Sequence, residues 1–470
     1  SPGGVSMKGK KILPWLGAAG LALLLPRGLK WLLQRAADIT FDHFLHRLMA
    51  DAYTENLWEL VSAISRMGLC NQQENALRAH EGKVLQRPLG SPKRFPDFSG
   101  LMFNAAQLHT LPTPIGTEIN TRVVIGKQAA RPLVIEIPII ISGMAYGEAL
   151  TEAFKIALAK GASLAGTAVN TGEGPFLPSE RAAAEKLILQ YNRSSWSKEE
   201  EILRQADAIE IQFGQGALAG VGHLMKARDM DNKLRRQLGL KPGQDAVTES
   251  RQTGIETPAD LRELVAYLRE VTGGVPIGIK LAPGKYLERD LDFALQGRID
   301  FIAIDGAQAA TKGGPPILAD DFCLPTIFAL CRAVRFLEQK GAKRKVSLLI
   351  SGGLYTPGDF LKAIALGADA VCIGTAALFN VTHTQSLQAL PWEPPTQVAW
   401  YDGVFRKKFD PHKGAESLAR FLNSCKEEME EAIRGLGKTA LDQVSREDLF
   451  ALDPETAKIT GVPLGYYPQR

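Results

Sequence analysis

The chain has 470 residues, of which 45% are hydrophobic and 23% charged, as is typical of a globular protein with a sizeable core. Its net charge of +4 is small, and no basic stripe with interleaved aromatic residues is present, so nucleic-acid binding is not expected. Five widely scattered cysteines argue against a disulfide framework and indicate reduced thiols in the cytoplasm.

Residues 1–66 are predicted to form an apolar to amphipathic helical segment. Leu13–Leu25 is apolar, but it is shorter than the ~20 residues that a helix needs to span a bilayer. Trp31–Ile64 then repeats large apolar residues at helical spacing. Two interpretations fit: an anchor at the inner face of the cytoplasmic membrane, or a helical subdomain that contacts another copy in a homo-oligomer.

Residues 67–136 are predicted to be a connector followed by a β-hairpin. The first part, Met67–Phe98, is mostly polar with several Gly and Pro residues. The runs Ile115–Ile125 and Pro132–Ile141 are rich in β-branched residues, which favours paired strands leading into a buried strand.

Residues 137–378 contain eight short apolar runs that alternate with helical segments. This pattern predicts an α/β protein with a closed (β/α)8 TIM barrel. The predicted strands are Ile137–Ser142, Ser163–Ala168, Lys186–Gln190, Ala208–Phe213, Pro276–Leu281, Phe301–Asp305, Leu348–Ser351 and Ala370–Ile373. A glycine-rich and charged excursion, Gly214–Glu256, interrupts the alternation. Residues 379–470 are predicted to form a helical extension, with helices at Glu416–Leu436 and Ser445–Leu452.

The last two predicted strands end in glycine-rich turns that open helices. The turns contain Ser351, Gly352 and Gly353 after one strand, and Gly374 and Thr375 after the other. Backbone N–H groups at two neighbouring helix starts suit a phosphate, and TIM barrels bind phosphorylated ligands at this position. The alternative is that these glycines only make tight turns.

The loops after the other predicted strands carry residues suited to a flat, polar ring. They are Met144, Ala145 and Tyr146 after the first strand, Asn170 and Glu173 after the second, Gln190 after the third, Gln215 after the fourth and Asp305 after the sixth. The amides of Gln190, Gln215 and Asn170 could bond the carbonyl and N–H groups of a flavin. Asn170 and Glu173 could instead be loop caps, since Asn-Thr-Gly is common in turns.

Lys280 ends the fifth predicted strand, where a buried ammonium needs an anionic partner. That partner would be the pyrimidine side of a reduced flavin or, in the alternative, Asp305 or Glu210 in a structural ion pair. A phosphate at the last two strands, a ring over the first strand and Lys280 opposite it together predict an FMN site. No Rossmann fingerprint occurs in a strand-to-helix context, so FAD or NAD bound in that manner is not expected.

Several motifs occur in one order: SGMAYGEAL, NTGEGPF, IEIQFGQGALAG, IGIKLAPG, IDGAQA and LLISGGLYTPGDFLKAIALGADAVCIGTAAL. Over about Ile115–Leu378, the sequence resembles the FMN-binding synthase domain of glutamate synthase, and above all the stand-alone bacterial proteins of that FMN-binding family. The resemblance implies a barrel in which reduced FMN delivers hydride to a 2-imino acid made from 2-oxoglutarate and ammonia.

The resemblance also implies roles for individual residues. Glu173 and Lys280 would be catalytic, with Glu173 as an acid or a guide for ammonium. Arg193, Gln308 and Lys312 are predicted to contact the substrate, although Arg193 and Lys312 could equally be ordinary structural charges. No metal ligand is predicted.

Two departures from the family pattern limit these implications. The chain lacks three closely spaced cysteines after the last strand, so no iron–sulfur cluster is expected and the electron donor is unknown. Leu218 replaces a lysine suited to a dicarboxylate.

Other interpretations are therefore an FMN-barrel oxidoreductase or isomerase acting on a different small acid, or a membrane-docked flavoprotein without turnover. An oxidase of 2-hydroxy acids would use a histidine base, and His223, on a loop, is the single histidine in the barrel region.

Overall fold

The computed structural model describes residues 13–52, 56, 58–388 and 394–468, and all structural statements here concern those residues. The chain divides into two compact units, Ser1–Lys83 and Val84–Arg470. The predicted domain boundaries inside the second unit, and the one at residue 66, stay predictions.

The helices of the first unit are α1 (Leu13–Ala50), α2 (Trp58–Met67) and α3 (Leu69–Glu81). The stretch interpreted as a polar connector therefore contains a helix, α3, which ends at Gly82 in the left-handed conformation that glycine favours. Among the described residues, no helix combines the length and the apolar character needed to cross a bilayer.

The strands all belong to the second unit. They are β1 (Leu101–Phe103), β2 (Val123–Ile125), β3 (Leu133–Ile135), β4 (Ile139–Ile141), β5 (Val169–Asn170), β6 (Leu187–Tyr191), β7 (Ala208–Gln212), β8 (His223–Met225), β9 (Ala246–Thr248), β10 (Ile277–Leu281), β11 (Phe301–Asp305), β12 (Ser347–Ser351), β13 (Ala370–Ile373) and β14 (Leu449–Ala451).

Helices alternate with the strands and continue beyond them. They are α4 (Glu152–Leu164), α5 (Pro178–Ala183), α6 (Glu200–Leu203), α7 (Asn232–Gln237), α8 (Pro258–Thr272), α9 (Leu287–Gln296), α10 (Pro316–Asp321), α11 (Thr326–Gln339), α12 (Pro357–Ala365), α13 (Thr375–Thr382), α14 (Pro394–Ala399), α15 (Pro411–Gly435) and α16 (Pro454–Thr460).

Eight parallel strands close into a barrel in the order β4-β5-β6-β7-β10-β11-β12-β13, with β13 paired back to β4. The (β/α)8 TIM barrel predicted from the sequence is therefore confirmed. The strands are continuous apolar runs because helices cover the outside and side chains fill the inside. Ile139, Ile140 and Ile141, for example, are all almost fully buried. Parallel pairing places all the strand ends, and the loops after them, on one face.

Two sequence predictions of secondary structure were wrong. The second strand is not Ser163–Ala168: α4 continues to Leu164, a turn with Gly166 at φ 71° follows, and β5 begins only at Val169. The predicted helix Ser445–Leu452 is a single turn with a capping box, followed by β14 paired antiparallel with β1. In the second case the strand partner β1 outweighed a local helical pattern, whereas in the first case α4 extends into residues that the sequence pattern had assigned to a strand.

Two short hairpins and the carboxyl-terminal extension complete the second unit. β2 and β3 form the predicted antiparallel hairpin, and β8 and β9 form a second one within the long excursion. α15 lies so close to α4 that a Cβ at Gly161 would be 2.9 Å from the Leu418 side chain. The chain before α15 returns to the barrel mouth, where the Tyr401 N–H donates to the Ala149 carbonyl at 2.7 Å.

Candidate active site

A cavity of about 600 Å³ opens at the carboxyl ends of the barrel strands. The predicted site residues that line it are Met144, Ala145, Glu173, Gln215, Lys280, Asp305, Gln308, Lys312, Ser351, Gly352, Gly353, Gly374 and Thr375. The others, Tyr146, Asn170, Gln190 and Arg193, lie outside its lining. Most of the dispersed strand-end residues thus meet in one place, because a closed parallel barrel brings all strand ends to one mouth.

One end of the cavity is built from backbone. Gly352 and Gly353 have φ values of 115° and 67°, which side chains rarely adopt. A Cβ at Gly352 would lie 2.7 Å from the Thr326 Oγ1, and one at Gly353 would lie 2.8 Å from the Gln308 Cβ. The neighbouring turn at Gly374 caps α13. At Gly352 and Gly353 only glycine therefore fits, and backbone groups line the cavity there.

Lys280 and Asp305 form an ion pair in the cavity wall, with Nζ and Oδ2 3.0 Å apart. Burial alone would lower the pKa of Lys280, but the charges of Asp305 and Glu210 outweigh it and raise that pKa above its ordinary value. The ammonium therefore stays charged. The ion pair considered as the alternative role for Lys280 is present, and both of its members also face the cavity.

Asn170 and Gln190 do not line the cavity, and the N–H groups of both amides have a protein partner. Their side-chain N–H groups donate to the Glu210 Oε1 at 2.9 and 2.8 Å. The Asn170 Oδ1 also accepts from the Gly172 N–H at 2.9 Å, which is the loop-cap role considered as the alternative. The described contacts thus use the N–H groups of both amides to hold Glu210, and the Asn170 oxygen to hold the loop. The predicted ring contacts of these two residues stay a prediction.

Arg193 and Tyr146 also have structural partners. The Arg193 guanidinium is buried and donates to the carbonyls of Gly220 and Val221 at 2.7 and 3.3 Å. It therefore fixes the loop before β8, which agrees with the alternative reading of an ordinary structural charge. The Tyr146 ring packs edge-on against Tyr401, with centroids 5.7 Å apart.

Gln308 and Lys312 line the cavity while holding neighbouring segments. The Gln308 amide donates to the Pro96 carbonyl at 3.0 Å and accepts from the Thr326 N–H at 2.8 Å. Lys312 Nζ lies 2.8 Å from the Asp402 carboxylate, which is 73% exposed. Of the three predicted substrate contacts, Gln308 and Lys312 line the cavity. Lys312 is the cation of these two, and because solvent screens its pairing with Asp402, it can also attract an anionic ligand.

Glu173 presents a carboxylate whose orientation is fixed. Its Oε1 accepts from the Gln215 amide at 2.9 Å, and its Oε2 accepts from the Gln212 amide at 3.0 Å. Glu173 is buried yet lines the cavity. Each oxygen keeps accepting capacity beyond these bonds, because an ionised carboxylate has about four acceptor sites.

Sequence reasoning missed a further carboxylate in the cavity, Glu148, which pairs with His223. The imidazole Nε2 lies 2.9 Å from the Glu148 Oε2. Burial would lower the pKa of His223, but the hydrogen bond and charge of Glu148, together with the charge of Glu173, raise it to about 9. Burial raises the pKa of Glu148 as well. The pair therefore retains a proton at neutral pH.

Little in the sequence could have identified this pair. Glu148 lies in the loop after β4, and His223 arrives on the β8–β9 hairpin of the long excursion. The nearest signal was that His223 is the single histidine of the barrel region. No local spacing connects the two, since only closure of the fold brings them together.

The atoms of Glu148, Glu173 and His223 lie within 4.8 Å of one another, a spacing that would admit a small cation. The imidazole Nε2, however, already has a carboxylate partner. Among the described residues, its Nδ1 has no hydrogen-bond acceptor of the kind that orients a metal-bound histidine. We therefore interpret the cluster as an ion pair beside a second carboxylate.

A buried cation that the sequence analysis also missed supports the cavity floor. Lys155 is fully buried and pairs with Glu180 at 2.8 Å. Its Nζ donates to the carbonyls of Met144 and Thr171 at 2.8 and 2.9 Å. One ammonium thus ties together the loops after β4 and β5. The only sequence signal was a lysine within the otherwise apolar run of α4.

The fold and the cavity together define a TIM-barrel protein with a polar, glycine-edged site at the carboxyl ends of its strands. In fold, the chain is similar to a flavocytochrome b2 variant with sulfite bound, with a TM-score of 0.50 and 16% identity over 81% of this chain and 84% of that one. At this identity the likeness concerns the fold alone.

The family described as "Conserved region in glutamate synthase" matches residues 93–439, so the chain belongs to the glutamate synthase family. A "Glutamate synthase large subunit-like protein" of Rhizobium meliloti (strain 1021) is 33% identical over 81% of this chain and 91% of its own length. An "Archaeal-type glutamate synthase [NADPH]" of Dehalococcoides mccartyi is 30% identical over 82% of this chain and 81% of its own. The family resemblance inferred from the motifs is confirmed.

Proposed function

We propose that this protein is an FMN-dependent oxidoreductase that reduces a small 2-imino or 2-oxo acid. The observation that carries the proposal is one cavity combining two adjacent glycine turns with the charged Lys280. Membership of the glutamate synthase family supports the same conclusion. The family-implied reaction forms glutamate from 2-oxoglutarate and ammonia.

The cavity residues fit FMN on structural grounds. The glycine turns at Gly353 and Gly374 leave a backbone surface with no side chain, suited to a phosphate at the start of α13. Ser142, at the end of β4, lines the cavity with a buried hydroxyl that has no partner among the described residues. Such an unsatisfied group is expected to bond a ligand.

Bound reduced FMN would supply a hydride, that is, two electrons together with one proton. Lys280 would stabilise negative charge on the ring, because its ammonium stays charged in the cavity wall. Lys312 would attract the carboxylate of the acid, since its present partner, Asp402, is exposed and exchangeable with solvent. Glu173, fixed by two amides, would orient an ammonium or imine group.

A spectroscopic experiment tests this proposal. The full chain is purified, its visible spectrum recorded, and FMN added if the protein is colourless. After stoichiometric anaerobic reduction, the reduced protein is mixed with 2-oxoglutarate and ammonium. We expect the flavin absorbance to return with both present and to stay low with ammonium alone. Protein that cannot take up FMN, or that is not reoxidised by any small acid, would contradict the proposal.

A second candidate, oxidation of a 2-hydroxy acid, is favoured by one observation. His223, the residue type that such a reaction needs, lines the cavity instead of lying on a remote loop. A matched experiment separates the candidates. Reduction of the oxidised flavin by a 2-hydroxy acid, with no reoxidation of the reduced flavin by 2-oxoglutarate and ammonium, favours the second.

A further inference from the structure

Glu148 and His223 form a proton-holding pair in the cavity that the proposed function leaves without a role. We propose that this pair donates the proton when the small acid is reduced. The inference rests on the proposed function and deepens it by naming the source of the proton.

Geometry makes the pair accessible to a ligand in the cavity. Glu148, Glu173 and His223 all line it. The side chains of His223 and Glu148 are 28% and 16% exposed, so each is held by protein on most sides while retaining an open edge. The hydrogen bond between His223 Nε2 and Glu148 Oε2 therefore lies within reach of a bound acid.

The charges around the imidazole favour its protonated form. Glu148 and Glu173 face it and raise its pKa, whereas burial and the charge of Arg193 lower it. Lys312, whose Nζ donates to the Glu148 backbone carbonyl at 3.2 Å, also acts on the Glu148 carboxylate and favours its ionised form. With a pKa of about 9, His223 carries the proton at neutral pH and can still release it to a more basic atom.

The proposed step balances. Bound reduced FMN would supply a hydride to C2 of a 2-imino acid, so that a C–H bond would form as the C=N π bond breaks. The π electron pair moves to nitrogen, which takes the proton shared between Nε2 and Oε2. The products are an amine and an oxidised flavin, and water reprotonates the pair. For a 2-oxo acid the same proton goes to oxygen and gives a hydroxyl.

The kinetic test uses the full chain loaded with FMN, with variants His223→Gln and Glu148→Gln. His223→Gln is expected to slow flavin reoxidation by the acid about 100-fold, the usual scale for losing a general acid. In the unchanged protein the rate should fall above pH about 9, and in Glu148→Gln this fall should move toward pH 6.5. His109→Gln, at an exposed position, is the control and should change neither rate nor profile.

A second readout does not depend on turnover. NMR titration of the protein labelled in its histidines should place the His223 pKa near 9, and Glu148→Gln should lower it. A value near 6.5 in the unchanged protein would overturn the inference. So would broadening of the His223 signal by low Mn²⁺, which would assign the cluster to a cation instead.

The outcomes separate the two proposals. If FMN is bound and the acid reoxidises it, but both variants keep the rate and pH profile of the unchanged protein, only the proton role is overturned. If the protein takes up no FMN, both fail together. Retained flavin spectra in the variants, with the expected kinetic changes, support the proton role over a general loss of structure.

Discussion

Two parts of the cavity lining are built by different means. The glycine end, after β12 and β13, includes backbone of Gly352, Gly353 and Gly374, and a Cβ at Gly353 would collide with Gln308. The charged end consists of the Glu148, Glu173 and His223 side chains, which come from separate loops. The glycine end depends on local chain geometry, whereas the charged end depends on distances that the whole fold must maintain.

This difference shows why the two ends should respond differently to substitution. A change at the glycine end alters shape and should act on cofactor affinity. A change at the charged end alters proton affinity and should act on the pH dependence of the reaction. Lys280 also lines the cavity, and its charge depends on Asp305 on the neighbouring strand.

The largest expected effect is at Lys280, where charge and fold are coupled. Lys280→Met leaves Asp305 buried without its cation and should lower the free energy of unfolding by about 3–5 kcal/mol. Urea denaturation monitored by fluorescence measures this. The double variant Lys280→Met with Asp305→Leu should recover much of the loss. The structure indicates that the Lys280–Asp305 pair is buried away from water. A single variant as stable as the original protein would contradict this.

A second prediction tests the glycine end. Gly353→Val places a side chain against Gln308 at a residue with a positive φ. The FMN dissociation constant should rise about 100-fold or more, and a 100-fold rise corresponds to about 2.7 kcal/mol of binding free energy. Flavin fluorescence titration measures this affinity. Gly341→Val is the control, because Gly341 has a φ of 63° but nothing within 4 Å of its Cβ position. Equal losses of affinity in both variants would show that backbone strain, and not the cavity surface, is responsible.

Glu173→Gln should have an intermediate effect at the charged end. Removing this carboxylate weakens the hydrogen bonds that it accepts from Gln212 and Gln215. We expect the free energy of unfolding to fall by about 1 kcal/mol in total. It should also lower the pKa of His223, because the charge of Glu173 helps to raise it. The NMR titration described above measures that pKa. An unchanged value would mean that Glu148 alone determines the proton affinity of the imidazole.

The smallest expected effect is at the cavity rim. Asp402→Asn removes the partner of Lys312, but Asp402 is 73% exposed, so stability should change by less than about 1 kcal/mol. If Lys312 binds the acid, the variant should bind it more tightly, since its cation loses a competing anion. A large loss of stability would show that solvent does not screen the pair between Lys312 and Asp402.

Membrane or self-association of the amino-terminal segment stays a prediction. The described part of α1 has exposed large apolar side chains, including Trp31, Leu33 and Phe41. A vesicle pelleting assay with and without residues 1–35 tests the membrane interpretation, and light scattering tests self-association.

Much of the fold could be predicted because its signals are local. Continuous apolar runs such as Ile139–Ile141 and glycine turns such as Gly352-Gly353 indicate buried strands and tight turns from a few neighbouring residues. The limits of the second barrel strand could not be found in this way. The apolar face of α4 runs almost into β5, and only pairing with β4 and β6 determines where the strand begins.

By itself, the sequence determined the barrel, the glycine-rich ends of its last two strands and the family, because short contiguous stretches of residues indicate each of them. Only the tertiary structure decided which polar groups face the cavity: it turned Asn170, Gln190 and Arg193 toward protein partners and brought Glu148 to His223. The reason is electrostatic. The protonation and pairing of a side chain depend on charges a few ångströms away in space, and sequence spacing does not encode those distances across a closed barrel.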